Sequence, residues 1–488
     1  MNQKAKKRAL RIRLTVIYSL MVLAVLLLVA GLYFIVQGYR FNRFDGKIVQ
    51  GGLVQFNSTP TGADVWLDEV RLANKTQSKL TVGTGAHTVT MKKDGYNAWK
   101  KDVTVRAGEI LWLDYARLVP LTLNPETVVP LVGLGSGKVS YDTKTFAVVE
   151  NPSEPVITFA NLDSAEPTKR QLTLPLESYT APAEGEQQAF DLYAWAYDNR
   201  YLLVKHTYGQ RVEWISFNTA DGKTAKNLTR VLGIDAVDVQ YAKDDANTLL
   251  MLTAAHEVRK TNIDQKTVSG PLLQNVNDFT MYDTATVVFT TKQDPATRKR
   301  TAGYFTIGTV APRTVYETPV DDAASLRISI NKYYGKFYQA VAHGDKVVIY
   351  TGDLAASDAK DPAPFVSLTQ LSLKGEVDYL GFSPDQHRFV YAGSDSHVVT
   401  YDLDLGTGAS VTLLATPQTQ IDWIDEFHFI TNEDSTVRMY DYDGTNGHDM
   451  IKNAMATDVS LLQNGKYLNT VTKVGETTAI TRVKMIID

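Results

Sequence analysis

Three polar residues near the amino end have side chains of the type that ligate a divalent cation: Asp64, Asp68 and His87. Their spacing fits no known ligand pattern, so we expect solvated, turn-flanking aspartates and a histidine on a strand face. The chain contains no cysteine, which excludes disulfides, thiolate metal sites, thiol nucleophiles and Fe–S clusters. The sequence therefore predicts no metal site and no cofactor.

A second acidic segment, residues 441–449, has the density of carboxylates of a calcium loop. Its glycine, Gly444, comes too early for the EF-hand pattern. Asp402 and Asp404 occupy the corresponding place in another repeat, and aspartate favours turns because its side chain hydrogen-bonds nearby backbone. We therefore predict a turn rather than a calcium site.

The sequence also lacks the common catalytic motifs. There is no G-x-S-x-G elbow and no H-E-x-x-H pair, and the glycine-rich residues 133–137 are neither a P-loop nor a dinucleotide fingerprint. We interpret residues 133–137 as a linker or a loop of the first repeat. Carboxylates are plentiful, but the sequence does not indicate which of them converge, so no catalytic residue is assigned. The net charge of −4 argues against a nucleic-acid partner.

Tryptophans are the other candidates for ligand contact, because a set of them could form a sugar- or peptide-binding surface. Trp195 and Trp423 share a repeat position, which favours a role in the core. Trp99 follows the turn at Gly95 and Tyr96, where exposure is expected, and it is our one candidate contact residue. The six tryptophans are Trp66, Trp99, Trp112, Trp195, Trp214 and Trp423.

An uncharged apolar run precedes all of these residues. It extends from Leu14 to Val36, long enough as a helix to cross a hydrocarbon core of about 30 Å, and Leu20 and Leu26 lie within it. The basic residues before it predict a cytoplasmic amino end by the positive-inside rule. These residues are Lys4, Lys6, Lys7, Arg8, Arg11 and Arg13.

The predicted topology follows from this run. Residues 1–13 form a cytoplasmic tail and residues 14–37 a single helix that crosses the lipid bilayer of the cell membrane. Residues 38–52 form a linker, and the rest of the chain lies outside the cytoplasm. A cleaved signal peptide is the alternative. Its apolar core is normally about 7–15 residues, shorter than this run, and no A-x-A site follows here.

Residues 53–119 alternate apolar and polar residues in short runs separated by turns, as strands do. Residues 56–68, which include Pro60-Thr61-Gly62-Ala63, resemble the PEGA domain, as do residues 85–89, 93–96 and 103–108. The family usually has a glycine after Asp68, where this chain has Glu69. The resemblance implies a small extracytoplasmic β-sandwich that acts as a spacer or adhesion module without catalysis.

Residues 120–488 show repeated units of short strands and polar turns. The clearest begin at Ala194, Leu380 and Ile421, and fainter copies centre on five further positions. These positions are Tyr141, Tyr241, Tyr282, Tyr333 and Leu461. The spacing of about 38 to 56 residues is that of a four-stranded propeller blade. The fold class is therefore all-β, with a β-propeller of eight blades preferred, seven possible, and consecutive sandwiches as the alternative.

The unit at residues 382–385, Phe-Ser-Pro-Asp, is similar to units of TolB-like and prolyl-peptidase-type propellers. We expect a non-enzymatic envelope protein whose propeller presents a face for a protein or polysaccharide partner. The alternative is an envelope enzyme, similar to a glycoside hydrolase or lyase, or a sensor that uses the central funnel. Converging acids with perturbed pKa values would favour the alternative, whereas a wide apolar or aromatic patch would favour binding.

Overall fold

The computed structural model describes residues 3–36, 39–41, 48–309, 311–354, 365–417 and 421–487. The chain divides into two compact units. The first comprises residues 1–122 together with 486–488, and the second comprises residues 123–485. The second unit begins at residue 123, and the last residues of the chain, from residue 486, belong to the first unit.

The first element is a single helix, α1, over Gln3–Val36. Its part from Ile12 to Val36 has a mean hydropathy of 2.8 and is exposed throughout, so its length and composition suit a membrane crossing. A signal sequence has the same properties. The four predicted anchor residues, Leu14, Leu20, Leu26 and Val36, lie on this helix with 41%, 60%, 60% and 71% of their surface exposed.

A sandwich of two sheets follows α1. Its strands are β1 (Tyr39–Phe41), β2 (Ile48–Thr59), β3 (Asp64–Leu67), β4 (Val70–Lys75), β5 (Ser78–Gly83), β6 (Gly85–Lys92), β7 (Trp99–Val105) and β8 (Ile110–Arg117). In one sheet β2 pairs antiparallel with β1 and β5 and parallel with β8. The other sheet has the order β4-β3-β6-β7. Residues 38–52, predicted as a linker, therefore contain β1 and the start of β2, because β2 begins before the predicted alternation.

The core between these sheets is made by the inward residues of each strand. Phe56, Val65, Met91, Trp99 and Leu113 are all buried in one cluster. The turn from β3 to β4 places Glu69 at a φ of 69°, in the left-handed region where the family usually has glycine. The sandwich thus accommodates a side chain at a corner where glycine would be less strained.

The second unit contains eight four-stranded antiparallel sheets in its described part, and each sheet is one blade. Blades 1 to 4 comprise β10 (Ser136–Val139), β11 (Thr145–Val149), β12 (Val156–Asn161) and β13 (Thr168–Thr173); β14 (Gln188–Trp195), β15 (Tyr201–Tyr208), β16 (Arg211–Asn218) and β17 (Ala225–Asn227); β18 (Ala236–Tyr241), β19 (Thr248–Thr253), β20 (Val258–Asn262) and β21 (Thr267–Val268); β22 (Val276–Met281), β23 (Thr286–Thr291), β24 (Thr301–Thr306) and β25 (Arg313–Glu317).

Blades 5 to 8 continue in the same order. They comprise β26 (Leu326–Tyr333), β27 (Lys336–His343), β28 (Lys346–Gly352) and β29 (Val366–Ser372); β30 (Tyr379–Phe382), β31 (Phe389–Ser394), β32 (His397–Asp402) and β33 (Thr407–Thr412); β34 (Asp422–Trp423), β35 (His428–Glu433), β36 (Thr436–Asp441) and β37 (His448–Lys452); β38 (Ser460–Leu462), β39 (Tyr467–Val474), β40 (Thr477–Lys484) and β9 (Glu126–Leu131). Two short helical segments, Leu176–Ser178 and α2 (Leu228–Leu232), connect or flank strands.

The middle strands of the blades are covered on both faces. All six residues of β19 are buried, which explains why its sequence is continuously apolar rather than alternating. Side chains from adjacent blades fill the seams, as Ile157 of blade 1 does with Phe190 and Val204 of blade 2. The predicted eight-bladed propeller is confirmed, and all eight predicted repeat centres fall in separate blades.

The ring is closed by a strand that the sequence analysis did not find. β9 precedes blade 1 but pairs with β40, placing Val129 opposite Ile480 and Leu131 opposite Thr478. Val129 is 1% exposed. Blade 8 is therefore built from both ends of the second unit.

Candidate binding site at the propeller axis

The first strands of the blades form the inner wall of the ring, because hydrogen bonds join several of them to the first strand of the next blade or, at Val377, to the residues just before that strand. These bonds are Trp195 Nε1 to Lys138 O (3.2 Å), Tyr193 Oη to Asp238 Oδ1 (2.5 Å), Gln240 Nε2 to Phe279 O (2.9 Å) and Arg327 Nε to Val377 O (3.0 Å). The turn after each first strand therefore lies beside the central channel at one face of the propeller.

Three of these turns begin with the same dipeptide, tyrosine followed by aspartate. The pairs are Tyr141-Asp142 in blade 1, Tyr197-Asp198 in blade 2 and Tyr282-Asp283 in blade 4. In each, the aspartate accepts a hydrogen bond from a backbone N–H farther along the turn. The donors are Lys144 (3.1 Å), Arg200 (2.9 Å) and Thr286 (2.6 Å). The aspartates thus close the turns, which fixes each tyrosine at the end of its strand.

The tyrosines meet across the blades. The rings of Tyr141 and Tyr197 stack with centroids 4.3 Å apart and planes 12° from parallel. Lys243, at the equivalent turn of blade 3, has its Nζ 5.6 Å from the ring centroids of both Tyr197 and Tyr282. We call Tyr141, Tyr197, Lys243 and Tyr282 the tyrosine arc. It spans four consecutive blades.

The tyrosine arc is accessible although its groups are partly desolvated. Tyr141 is 53% exposed and Tyr197 is 37% exposed. Burial among neighbouring groups, with a contribution from Tyr197, raises the pKa of Tyr141, so its phenol is neutral at physiological pH. Burial lowers the pKa of Lys243, and the carboxylate of Asp283 opposes this shift. The tyrosine arc therefore offers ring faces, phenol hydroxyls and one cation.

The inner wall also carries acids that share a restricted space. Loss of hydration between the walls, followed by repulsion from Asp458, raises the pKa of Asp422 to about 7, while Lys138 opposes the shift. Lys138 Nζ lies 3.5 Å from Asp458 Oδ1, and the backbone N–H of Val139 donates to Asp458 Oδ2 at 3.0 Å. Asp422 therefore takes up a proton more readily than an aspartate in water.

A second pair of acids lies on the wall between blades 3 and 4. Burial first, and the charge of Asp238 second, raise the pKa of Asp278. Tyr193 donates its phenol proton to Asp238 in a hydrogen bond of 2.5 Å, and the pKa of Tyr193 is raised by burial and by both aspartates. No local pattern in the sequence indicates this convergence, because the three residues come from three different blades.

The three residues considered as metal ligands, Asp64, Asp68 and His87, do not form one group in the structure. His87 Nδ1 lies 2.6 Å from Asp68 Oδ2, whereas Asp64 pairs with Arg71 at 2.8 Å. The hydrogen bond to Asp68 is the main cause that raises the pKa of His87. Among the residues that the structure describes, no group of three histidine, aspartate or glutamate side chains could hold a metal ion.

The acidic segment at residues 441–449 lies in the turn between β36 and β37, as predicted. Asp443 Oδ1 accepts from the hydroxyl of Thr445 at 2.7 Å. In the corresponding turn of blade 6, Asp402 Oδ1 accepts from the backbone N–H of Asp404 at 2.9 Å. Both sets of carboxylates therefore stabilise turns.

The prediction for Trp99 is wrong. Trp99 is 1% exposed because it opens β7 with its side chain in the sandwich core, so it does not offer a surface to a ligand. The exposed tryptophan of the sandwich is Trp112, with 46% of its surface accessible. Trp195 is buried in the seam between blades 1 and 2, and Trp423 packs on the cluster between blades 6 and 7, as predicted.

The sequence analysis did not single out the tyrosine arc as a site. Tyr141 and Tyr282 were recognised only as repeat centres, although the repeated Tyr-Asp pair after a first strand was visible in the sequence. Equivalent turns of neighbouring blades lie side by side at one face of the propeller, so the repeated Tyr-Asp pair could have indicated this site.

Together these features define a chain with a PEGA sandwich and an eight-bladed propeller whose axis carries the candidate site. Residues 52–119 match the family model of the PEGA domain, which confirms the resemblance found in the sequence. No curated protein sequence matches the chain.

Solved structures similar to this chain include several β-propellers. The β-propeller domain of Cps50 (Swd1) from Myceliophteria thermophila has 10% identity and a TM-score of 0.41, with 75% of this chain and 100% of that chain covered. An oligogalacturonate lyase in complex with manganese has 10% identity and a TM-score of 0.41 over 68% of this chain and 97% of that chain. A eukaryotic initiation factor has 12% identity and a TM-score of 0.41 over 74% and 87%. The blade assignment here rests on the strand pairing alone.

Proposed function

We propose that this chain is a membrane-anchored, non-enzymatic binding protein of the cell envelope, whose propeller binds a protein or polysaccharide partner at the tyrosine arc. The observation that carries the proposal is the alignment of three tyrosine rings, two exposed and one half-buried, and one ammonium group over four adjacent blades. Ring faces stack on the apolar face of a sugar or on a peptide plane, and phenol hydroxyls supply hydrogen bonds.

The geometry of the turns supports a binding role for the tyrosine arc. Exposed aromatic residues lose few rotatable bonds on binding, and turns closed by aspartate hold them in place beforehand. The next turn of the ring, in blade 5, adds Tyr334, which is 81% exposed. Such a continuous row suits an extended polymer better than a small molecule enclosed in a pocket.

The placement of the chain in the envelope is supported by α1 and by the charges before it. The basic residues at the amino end favour a cytoplasmic tail, which would leave the sandwich and the propeller outside. Protease added to intact cells is expected to digest residues 48–487 and spare the span. Protection of the propeller under these conditions would contradict the proposed topology.

The binding function is tested with the full chain in lipid nanodiscs, presented to separated protein and polysaccharide fractions of the envelope. Tyr197→Ala is expected to reduce capture of the bound component about tenfold, the order expected for loss of one aromatic hot spot. The control is Leu176→Ala, because Leu176 is 70% exposed and lies in the connection that enters blade 2 from the opposite face. Equal capture by both variants and the unchanged chain would refute the tyrosine arc as the site.

The alternative, an envelope enzyme, is favoured by the raised pKa of Asp422 next to Asp458. A carboxyl group that holds its proton near neutral pH could serve as general acid in glycoside cleavage, with Asp458 as the second carboxyl group. Incubation of the chain with envelope polysaccharides tests this function. Product release that disappears in Asp422→Asn and persists in Tyr197→Ala would replace the binding proposal with a catalytic one.

A further inference from the structure

The outer face of the first sheet of the sandwich carries an apolar patch, beside which Thr81 and Lys79 of β5 lie opposite Leu53 and Gln55. Leu53 of β2 lies opposite Ile110 of β8, and Gln55 lies opposite Trp112. Val54, which lies between Leu53 and Gln55 on β2, is buried in the core. The side chains of Leu53, Gln55, Ile110 and Trp112 therefore point away from the second sheet. Ile110 is 49% exposed and Trp112 is 46% exposed. We call these four residues the Trp112 face.

This sheet begins within a short distance of the apolar helix. α1 ends at Val36 and β1 starts at Tyr39. Three Cα–Cα steps of about 3.8 Å limit the separation of these two residues to about 11 Å. The rings of Phe34 and Tyr39 are 5.6 Å apart. If α1 spans the bilayer, the edge of the sheet must therefore start at the lipid headgroups.

The strand pairing then restricts the direction of the sheet. β1 and β2 are antiparallel with Tyr39 opposite Gln50, so β2 comes back to the level of Tyr39 and continues to Thr59. At about 3.3 Å per residue this continuation is about 30 Å long. It cannot descend into the hydrocarbon, where open sheet edges do not occur.

The opposite direction is disfavoured by charge. If β1 pointed inward, it would enter the hydrocarbon together with the paired end of β2, and it contains a charged residue, Arg40. A strand direction along the membrane surface satisfies both restrictions. One face of this sheet is covered by the rest of the sandwich, so the free Trp112 face is the one that can turn to the lipid.

The chemistry of the Trp112 face suits a bilayer interface. Tryptophan is enriched there because its ring is apolar and its indole N–H is polar. Two exposed apolar side chains bind lipid weakly when free in solution, but a tether a few residues long makes the contact intramolecular at a high effective concentration. We propose that the Trp112 face lies on the outer surface of the bilayer that α1 spans, an inference that rests on the proposed membrane anchor.

The absence of cysteine allows a direct test, because any introduced cysteine is the only site of labelling. Ile110→Cys, labelled with an environment-sensitive fluorophore, is reconstituted as the full chain in liposomes that contain spin-labelled lipid. We expect a blue-shifted emission and lipid quenching several-fold stronger than at Val70→Cys. Val70 is 66% exposed on β4 of the other sheet and serves as the matched control.

A label at Leu26→Cys, within α1, separates the two proposals. Strong quenching at Leu26 with equal, weak quenching at Ile110 and Val70 would overturn the proposed lipid contact and leave the anchor intact. Weak quenching at Leu26 would overturn the anchor and the lipid contact with it. Adding Trp112→Ala to the Ile110 label is expected to reduce the quenching there, and no reduction would mean that the Trp112 face does not hold the sheet on the lipid.

Discussion

The sandwich and the propeller each expose aromatic residues, but they do so with different neighbours. The Trp112 face combines an indole with aliphatic side chains and a glutamine. The tyrosine arc combines phenols with an ammonium group, and aspartates close its turns. The neighbours of each exposed ring, rather than the ring alone, are the basis of the two proposals: a lipid contact for the Trp112 face and a polar polymer for the tyrosine arc.

The two surfaces also differ in what holds them. Trp112 is positioned by the register of β8 on β2, which a whole sheet stabilises. Tyr282 is positioned by a turn whose closure depends on one carboxylate, that of Asp283. Substitutions that remove these supports should therefore have different effects on stability and on binding.

The largest expected difference in stability is between variants of two sandwich tryptophans, one buried and one exposed. Trp99→Ala is expected to lower the free energy of unfolding by about 3–5 kcal/mol, because it leaves a cavity in the core. Trp112→Ala is expected to change it by less than about 0.5 kcal/mol, since the side chain is half exposed. Denaturant unfolding followed by circular dichroism measures both, and similar losses for the two variants would contradict the assignment of core and surface.

The turn aspartate of blade 4 tests how the tyrosine arc is held. Asp283→Ala removes the acceptor of the backbone N–H groups of Ala285 (2.9 Å) and Thr286 (2.6 Å). We expect a loss of about 1–3 kcal/mol in stability, the cost of leaving such donors unsatisfied, together with weaker partner binding. Asp283→Asn retains an acceptor and is the control. If it proved as unstable as the alanine variant, the carboxylate would act through its charge and not through the turn.

Removing a ring from the tyrosine arc should affect binding and not stability. Tyr197→Phe keeps the stack with Tyr141 and the contact with Lys243, so partner affinity is expected to fall less than in Tyr197→Ala. The contribution of the ring beyond its buried area is about 0.5–1.5 kcal/mol. Calorimetric titration of the captured partner measures it, and an identical loss in both variants would assign recognition to the hydroxyl instead of the ring.

The smallest expected effect concerns the inner wall and its dependence on pH, because Asp422 is exposed and water screens its charge. The pKa of Asp422 rises from 3.8 to about 7 on folding, so the folded chain holds this proton more tightly than the unfolded chain. Its contribution to stability is complete below pH 3.8 and is lost as the pH rises toward 7. Asp422→Asn is therefore expected to gain melting temperature relative to the unchanged chain at pH 8 but not at pH 4. A constant difference across this range would contradict the raised pKa.

Features whose residues lie close together along the chain were predicted from the sequence, whereas features that join distant residues were not. α1, the PEGA sandwich and the repeat centres depend on local runs and were predicted. Trp99 was misjudged and Trp112 was not singled out, because both lie on alternating strands and a sequence does not say which parity faces the core. The tyrosine arc and the pair of Asp422 with Asp458 join residues from different blades, so only the closed ring brings them together.

The strand β9 gives the propeller an order of assembly. A chain that emerges with its amino end first holds Val129 without its neighbour Ile480 until nearly all of the second unit has followed. Blade 1 likewise has no blade 8 beside it during that time. Closure is therefore a late step that stabilises all blades of the ring together. The loss of either terminal strand of the second unit, β9 or β40, would open the same sheet.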